Sequence, residues 1–460
     1  MNSHIIAELF DKAVKISGAP GVQLSIIEGS EQLDFVSGFA NAELGIPMTQ
    51  DTVIQIGSVT KVFNAMMVMS LVEAGQLDLD VPVKRYIPEF ELSDPKVTPA
   101  ITLRRLLSMS AGLDNGDYGD YGEGEDAIAR RVMGLRTLPQ HFTPGAHFGY
   151  SNAGSDVAGH VAERVTGRIW DDLLKERVLA PAGLTNAVSL DRDRLFQRVS
   201  VGHRLDTESG EIRVVRPWCL QSRGQAPGGC SFATSAHDLA RFGKLFIDKG
   251  VADSGARVLS ESAIKTMMMP HIDVSVHYLA TSWCLGPFMH EWDRVAAWGH
   301  HGSATSGASF LYWVPKKNGV IACTHNTNTP SVSARLLKVM TQDVMNAAFG
   351  VANPVMKAPT SSIKIDPNRY TGTYEGLAGQ CLVEMADDAL VMTTRIEFTV
   401  GTKIVDTVSL IPLGGDRFLM DKGAKTDPLV MPQDTAFFGD DGHGRASNMT
   451  LDVFPASRKS

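Results

Sequence analysis

The stretch IQIGSVTKVFNAMMVMSLVEAGQL begins at Ile54. From Val62 to Val72 only Asn64 and Ser70 are polar. At helical spacing the apolar residues then cover every face, and a helix that is apolar all round is buried. One residue does not fit such a helix. Lys61 stands at its start, three residues after Ser58, and burying an unpaired ammonium is costly. Either the first turn reaches solvent, or the lysine is placed there for chemistry.

At 460 residues the chain is too long for one ordinary core, so a large domain plus a smaller one is expected. It is 43% hydrophobic and 20% charged, as soluble globular proteins are. A net charge of −8 argues against a nucleic-acid partner, which would want a basic face. No apolar run approaches the length of a membrane span, so no membrane partner is expected. MNSHIIAELFDKAVKISG reads as an amphipathic helix rather than a signal peptide. Five scattered cysteines without a C-x-x-C pair suggest reduced thiols and a cytoplasmic address.

Two alternating runs, VQLSIIEG from Val22 and QLDFVSGFA from Gln32, read as a hairpin. ASFLYWVP from Ala308 and GVIACTH from Gly319 form a second strand pair, followed by a helical pattern over Ser333 to Phe349. Between these ends the pattern is mostly helical: Thr102 to Ser108, Ser155 to Thr166, Ile169 to Val178 and Ser235 to Asp248. Strands at both ends suggest one sheet assembled from distant segments, with a helical region inserted. VANPVMKAPTSSIKIDP, residues 351–367, reads as a linker. Beyond it lie short hairpin-like strands, with turns at Asp387-Asp388, Gly414-Gly415 and Asp440-Asp441-Gly442, and these suggest a small antiparallel barrel. The expected domains are therefore 1–350 and 368–460.

Ser58 and Lys61 are three apart, so they share a helix face about 5–6 Å apart. The helix N-terminus favours a developing alkoxide at Ser58. Apolar surroundings lower the pKa of a lysine, as a general base near neutrality requires. Lys61 is thus expected to take the proton from Ser58. S-x-x-K recurs at Ser93/Lys96, Ser262/Lys265 and Ser361/Lys364, but only the Ser58 copy opens a buried helix. Two further segments support it. PGAHFGYSNAGSDVAGHVAERVTG holds the single Y-x-N, in which Tyr150 can relay a proton and Asn152 can position a carbonyl or the lysine. WGHHGSATSGASFLYW holds His300-His301-Gly302 leading into a strand. Glycine there permits close approach of a substrate backbone, and the Ser303 N–H is placed to join that of Ser58 around an oxyanion.

Ser58-Val59-Thr60-Lys61, Tyr150-Ser151-Asn152 and His300-His301-Gly302, in that order, resemble the three motifs of the serine β-lactamase and penicillin-binding-protein-like hydrolases. LDLDVPVKRYIPEF, ITLRRLLSMSAGL and APGGCSFATSAHDLARF also look like family segments. The resemblance covers roughly residues 5–349. It implies an α/β fold: a sandwich of antiparallel sheet and helices beside an all-α region, with the site between them. It also implies a serine hydrolase that cleaves amide or ester bonds of small peptide-like substrates through an acyl-Ser58 intermediate. By resemblance Ser58 is the nucleophile, Lys61 its base, Tyr150 the relay and Asn152 a substrate-orienting amide. His300 replaces the lysine of the family's K-T-G motif, a departure that looks more like D-aminopeptidases and esterases than true β-lactamases. Met109 stands where relatives often carry histidine and is given no role. The C-terminal part resembles lipocalin-like domains appended to D-stereospecific aminopeptidases and peptide-cyclising thioesterases. A carboxylesterase, a thioesterase or cyclase, and a non-catalytic binding protein remain as alternatives.

His301 is read as facing the core. GLDNGDYGDYGEGED, from Gly112, reads as a solvated loop, or as a rim that draws a cationic group to the cleft. No metal or cofactor motif is recognised, so none is expected.

Overall fold

The computed structural model describes residues 1–206, 209–216, 222–274, 279–327, 329–354, 363–377, 379–386, 388–397, 403–421, 435–440, 444–451 and 454–459. The all-apolar segment forms the helix Thr60–Glu73, buried from Thr60 through Leu71. Asn64 and Ser70, the polar residues of its apolar stretch, are satisfied internally. Asn64 accepts from the Trp170 indole N–H at 2.9 Å and donates to the Ser155 carbonyl at 3.1 Å. Ser70 donates to the Met67 carbonyl. Phe63 stacks on Phe242 and meets Phe232 edge-on. Helices Asn152–Thr166 and Trp170–Leu174 pack around it.

A nine-stranded antiparallel sheet flanks this helical region. Its centre joins two segments far apart in the chain: Gly21–Glu28 pairs with Gly319–His325, Val22 opposite His325. Gly307–Val314 and Val295–Ala304 follow outward, then Phe288–Trp292. Both faces are covered, and side chains alternate between them. Phe310 and Tyr312 join a core with Ile6, Phe10 and Leu336 from helices Ser3–Ser17 and Pro330–Val339. Leu311 and Trp313 join the other core with Leu239, Phe242 and Phe246 of helix Ala236–Ile247. The expected sheet of distant segments and the inserted helical region are both present.

Several boundaries differ from the sequence reading. The helix expected from Ser155 begins at Asn152, because the Ser151 hydroxyl accepts from Gly154 N–H and caps it. The run expected over Ile169 to Val178 is an α-helix to Leu174 followed by a π-helical turn, Lys175–Leu179. His300-His301-Gly302 lies inside the strand Val295–Ala304 rather than ahead of one.

Eight strands between Gly372 and Arg458 close an antiparallel barrel. Tyr374, Met392, Phe418 and Phe438 fill its interior, as side chains do in small barrels. The Gly414-Gly415 turn has left-handed backbone at both residues. Residues 355–362 of the expected linker, Asp387, and Asp441-Gly442 lie outside the described residues. The barrel segment meets the preceding part of the chain at a buried carboxylate. Asp114 accepts from His141 Nε2 at 2.8 Å and from the Leu377 N–H at 3.1 Å, while His141 Nδ1 meets the Ser457 hydroxyl at 2.7 Å. Among the described residues, no helix is long and apolar enough to cross a membrane.

Candidate active site

Ser58 sits in a single 3-10 turn, Gly57–Val59, directly before the buried helix. Its backbone N–H therefore lies at the positive end of that helix. The Lys61 ammonium lies 2.9 Å from Ser58 Oγ and also donates to the Gly228 carbonyl. Lys61 is only 2% exposed. Burial pushes its pKa down from 10.5 to about 7, and Asp156 works in the opposite direction. The serine turn opens on a cleft, and the lysine is buried beneath it.

Tyr150 packs over Lys61, with Nζ 4.9 Å from the ring centroid. Its loop is held by three contacts. Gly149 N–H donates to the Met109 carbonyl, Ser151 N–H meets Met109 Sδ, and Ser151 Oγ donates to the Asp114 carbonyl. Met109 adopts φ +54, a conformation costly for a side chain with a Cβ. So Met109, which the sequence reading left without a role, anchors the Tyr150 loop. Asn115 Oδ1 accepts from Asn152 N–H at 2.8 Å. The Asn152 amide then faces the cleft; its Nδ2 lies 3.4 Å from the Tyr118 hydroxyl, and its Oδ1 has no partner among the described residues.

Three glycines bring separate backbones together at the serine. A Cβ on Gly302 would lie 1.8 Å from Ile56 O and 2.8 Å from Ser58 N. One on Gly57 would lie 2.4 Å from Ser303 N, and one on Gly229 2.5 Å from Gly57 O. The Ser303 amide is thereby set against the serine turn.

His300 is 2% exposed, with Trp283 edge-on at 5.3 Å and Phe288 stacked at 5.7 Å between ring centroids. Its Nδ1 meets the His301 carbonyl at 2.5 Å. A carbonyl only accepts, so Nδ1 carries the proton and Nε2 is left an acceptor, without a protein partner among the described residues. Burial, then the Lys61 charge, holds the His300 pKa well below the usual histidine value. His301 both lines the cleft and bonds the buried Tyr312 hydroxyl, and burial takes its pKa to about 4.

The sequence reading missed Asp156. It is fully buried, one turn after Asn152 on the same helix. It accepts from the Gly228 N–H at 2.9 Å and pairs with Arg131 at 3.2 Å. Gly228 thus carries Asp156 on its N–H and Lys61 on its carbonyl. Burial raises the Asp156 pKa to about 6, against the pull of Arg131 and Lys61. The i, i+4 spacing from Asn152 was the available signal. Replacing Asp156 with asparagine removes the charge that raises the Lys61 pKa. The acid limb of the pH–rate profile is expected to move to lower pH, with kcat down about 10-fold. A limb that stays in place would exclude this electrostatic role.

Ser58, Tyr150, Asn152, His300, His301 and Ser303 border one cleft of about 400 Å³. The Gly112 loop rims it, but through Asn115 and Tyr118. Its Asp117 is instead paired with Arg131 and the Tyr121 hydroxyl. No cluster of three metal-ligating side chains occurs among the described residues.

A sheet–helix sandwich with a serine–lysine pair at its junction defines an active-site-serine type of α/β protein. The Beta-lactamase family matches residues 6–343, and the chain belongs to that family. It is 32% identical to Penicillin-binding protein 4 of Amycolatopsis lactamdurans over 377 residues, 81% of this chain and 97% of that protein. It is 31% identical to a D-aminopeptidase of Brucella anthropi over 239 residues, 50% of this chain and 43% of that protein. Among solved structures, SurE superposes with a TM-score of 0.80 at 25% identity, covering 99% of this chain and 98% of that one.

Proposed function

We propose that the chain is a serine hydrolase that cleaves amide or ester bonds of small peptide-like substrates through an acyl-Ser58 intermediate. The observation that carries this reading is Lys61 Nζ at 2.9 Å from Ser58 Oγ, with a pKa brought to about 7. Neutral Lys61 takes the Ser58 proton as Oγ attacks the carbonyl carbon. The N–H groups of Ser58 and Ser303 receive the oxyanion. The intermediate collapses as the leaving nitrogen or oxygen takes the proton from Lys61 by way of Tyr150. Water then attacks the acyl carbon, gives its proton to the same lysine, and Ser58 Oγ leaves with that proton. Asn152 orients the substrate, and His300 accepts a hydrogen bond from it. The name of the D-aminopeptidase relative supports amide cleavage.

Residues 1–350 are assigned to catalysis and 368–460 to a barrel that braces the Tyr150 loop through Asp114, joined by the segment 351–367. Cys284, Cys323 and Cys381 are free and buried, which fits a reducing, cytoplasmic compartment.

The test is intact-mass and peptide mapping after treatment with a serine-directed fluorophosphonate. One adduct, on the peptide bearing Ser58, is expected. An unlabelled Ser58 would favour a binding protein. A p-nitrophenyl ester, a D-Ala p-nitroanilide, a linear peptide thioester and nitrocefin then separate esterase, amidase, cyclase and β-lactamase activities.

A further inference from the structure

The cleft is built for a substrate without charge. Its lining includes Leu279, Trp283, Phe288 and Phe310, which belong to one apolar cluster, and the neutral polar groups of Tyr118, Asn152 and Gln225. Among the described residues no Lys, Arg, Asp or Glu side chain lines it. The charges nearby are turned inward and paired: Asp156 and Asp117 on Arg131, Asp114 on His141 and the barrel, Lys61 on Ser58 and Gly228. His300, at the position where the family's motif carries a fixed cation, is a neutral ring between Trp283 and Phe288.

A charged substrate group would have to leave water for this wall without a counter-charge, and that is costly. An amide faces no such penalty. Buried His300 Nε2 and Asn152 Oδ1 are both unpartnered among the described residues and both belong to the cleft. Two buried acceptors are satisfied by N–H donors of a ligand. The apolar wall meanwhile fits an aromatic or branched aliphatic side chain.

We infer that the substrate is uncharged around the scissile carbonyl: an ester or amide of an N-acylated amino acid with an apolar side chain, or the same unit inside a peptide. A free α-ammonium, as at a peptide N-terminus, and a carboxylate near the scissile bond are both selected against. This rests on the hydrolase reading and narrows it.

The experiment uses the full chain and three p-nitrophenyl esters of phenylalanine, each as both enantiomers. One carries an N-acetyl group, one a free ammonium and one an N-succinyl carboxylate. Rates are corrected with Ser58→Ala protein, and fluorophosphonate labelling is run in parallel. The N-acetyl ester is expected to exceed both charged esters in kcat/KM by about 100-fold or more. A charged ester turned over within about 100-fold of it overturns the inference and leaves the hydrolase reading standing. Labelling of Ser58 without turnover of the N-acetyl ester also overturns it. Failure to label Ser58 at all removes the hydrolase reading, and this inference with it.

Discussion

Ser58→Ala and Lys61→Met are each expected to lower kcat by about 10⁴, and the double variant by no more than either alone. The two side chains act as one unit, because the hydroxyl is a poor nucleophile until the 2.9 Å lysine takes its proton. Activity in the parent should rise with pH through about 7, since only the neutral amine can accept that proton. Stability tells the lysine apart from a structural residue. A lysine with a depressed folded-state pKa binds fewer protons folded than unfolded between pH 7 and 10.5. It therefore disfavours folding fully below about 7, and the penalty fades as pH rises toward 10.5. Lys61→Met removes that penalty, so near pH 7 its Tm should equal or exceed that of the parent while activity is lost. A fall in Tm together with activity would point to simple misfolding. Additive losses would separate the two roles.

The parts of this site that were legible in the sequence are those a single segment encodes. The Ser58 helix announced its burial by lacking a polar face. The Tyr150 loop announced itself by the single Y-x-N ahead of a helical pattern, whereas the Ser151 cap that starts the helix at Asn152 did not show. Beyond such segments the pattern thins. Asp156 looks on paper like any carboxylate on a helix, and its burial depends on Arg131 and Gly228, 25 and 72 residues away. Met109 looks like core; its left-handed backbone and its contact with Ser151 exist only in the folded chain. The Gly112 loop was read by its charge. The fold sets Asp117 on Arg131 and Asp114 on His141 and a barrel backbone N–H, and presents the neutral Asn115 and Tyr118 to the cleft. Strand Phe288–Trp292, which supplies Phe288 to the His300 wall, was not anticipated. Its short run FMHEW carries no turn or periodic signal strong enough to separate it from a loop.

Gly302→Ala is expected to lower kcat/KM by about 10²–10³ through one methyl group. The added carbon would stand 1.8 Å from Ile56 O and 2.8 Å from Ser58 N, where no rotamer can relieve it, because both neighbours are backbone. Either the strand Val295–Ala304 or the serine turn must shift. A displacement of about an ångström in the reacting geometry suffices for a loss of this order. The shift separates the Ser303 and Ser58 amides, so the rate of fluorophosphonate labelling should fall in parallel, because that reaction passes through the same developing oxyanion. Ser303→Ala provides the contrast. It removes an exposed hydroxyl but keeps the backbone N–H, and activity should stay within about 3-fold of the parent. If Gly302→Ala were silent, the two backbones would have room the structure does not give them, and the oxyanion would have to be held elsewhere. If Ser303→Ala were as damaging as Gly302→Ala, the hydroxyl rather than the amide would be the group that matters at this position.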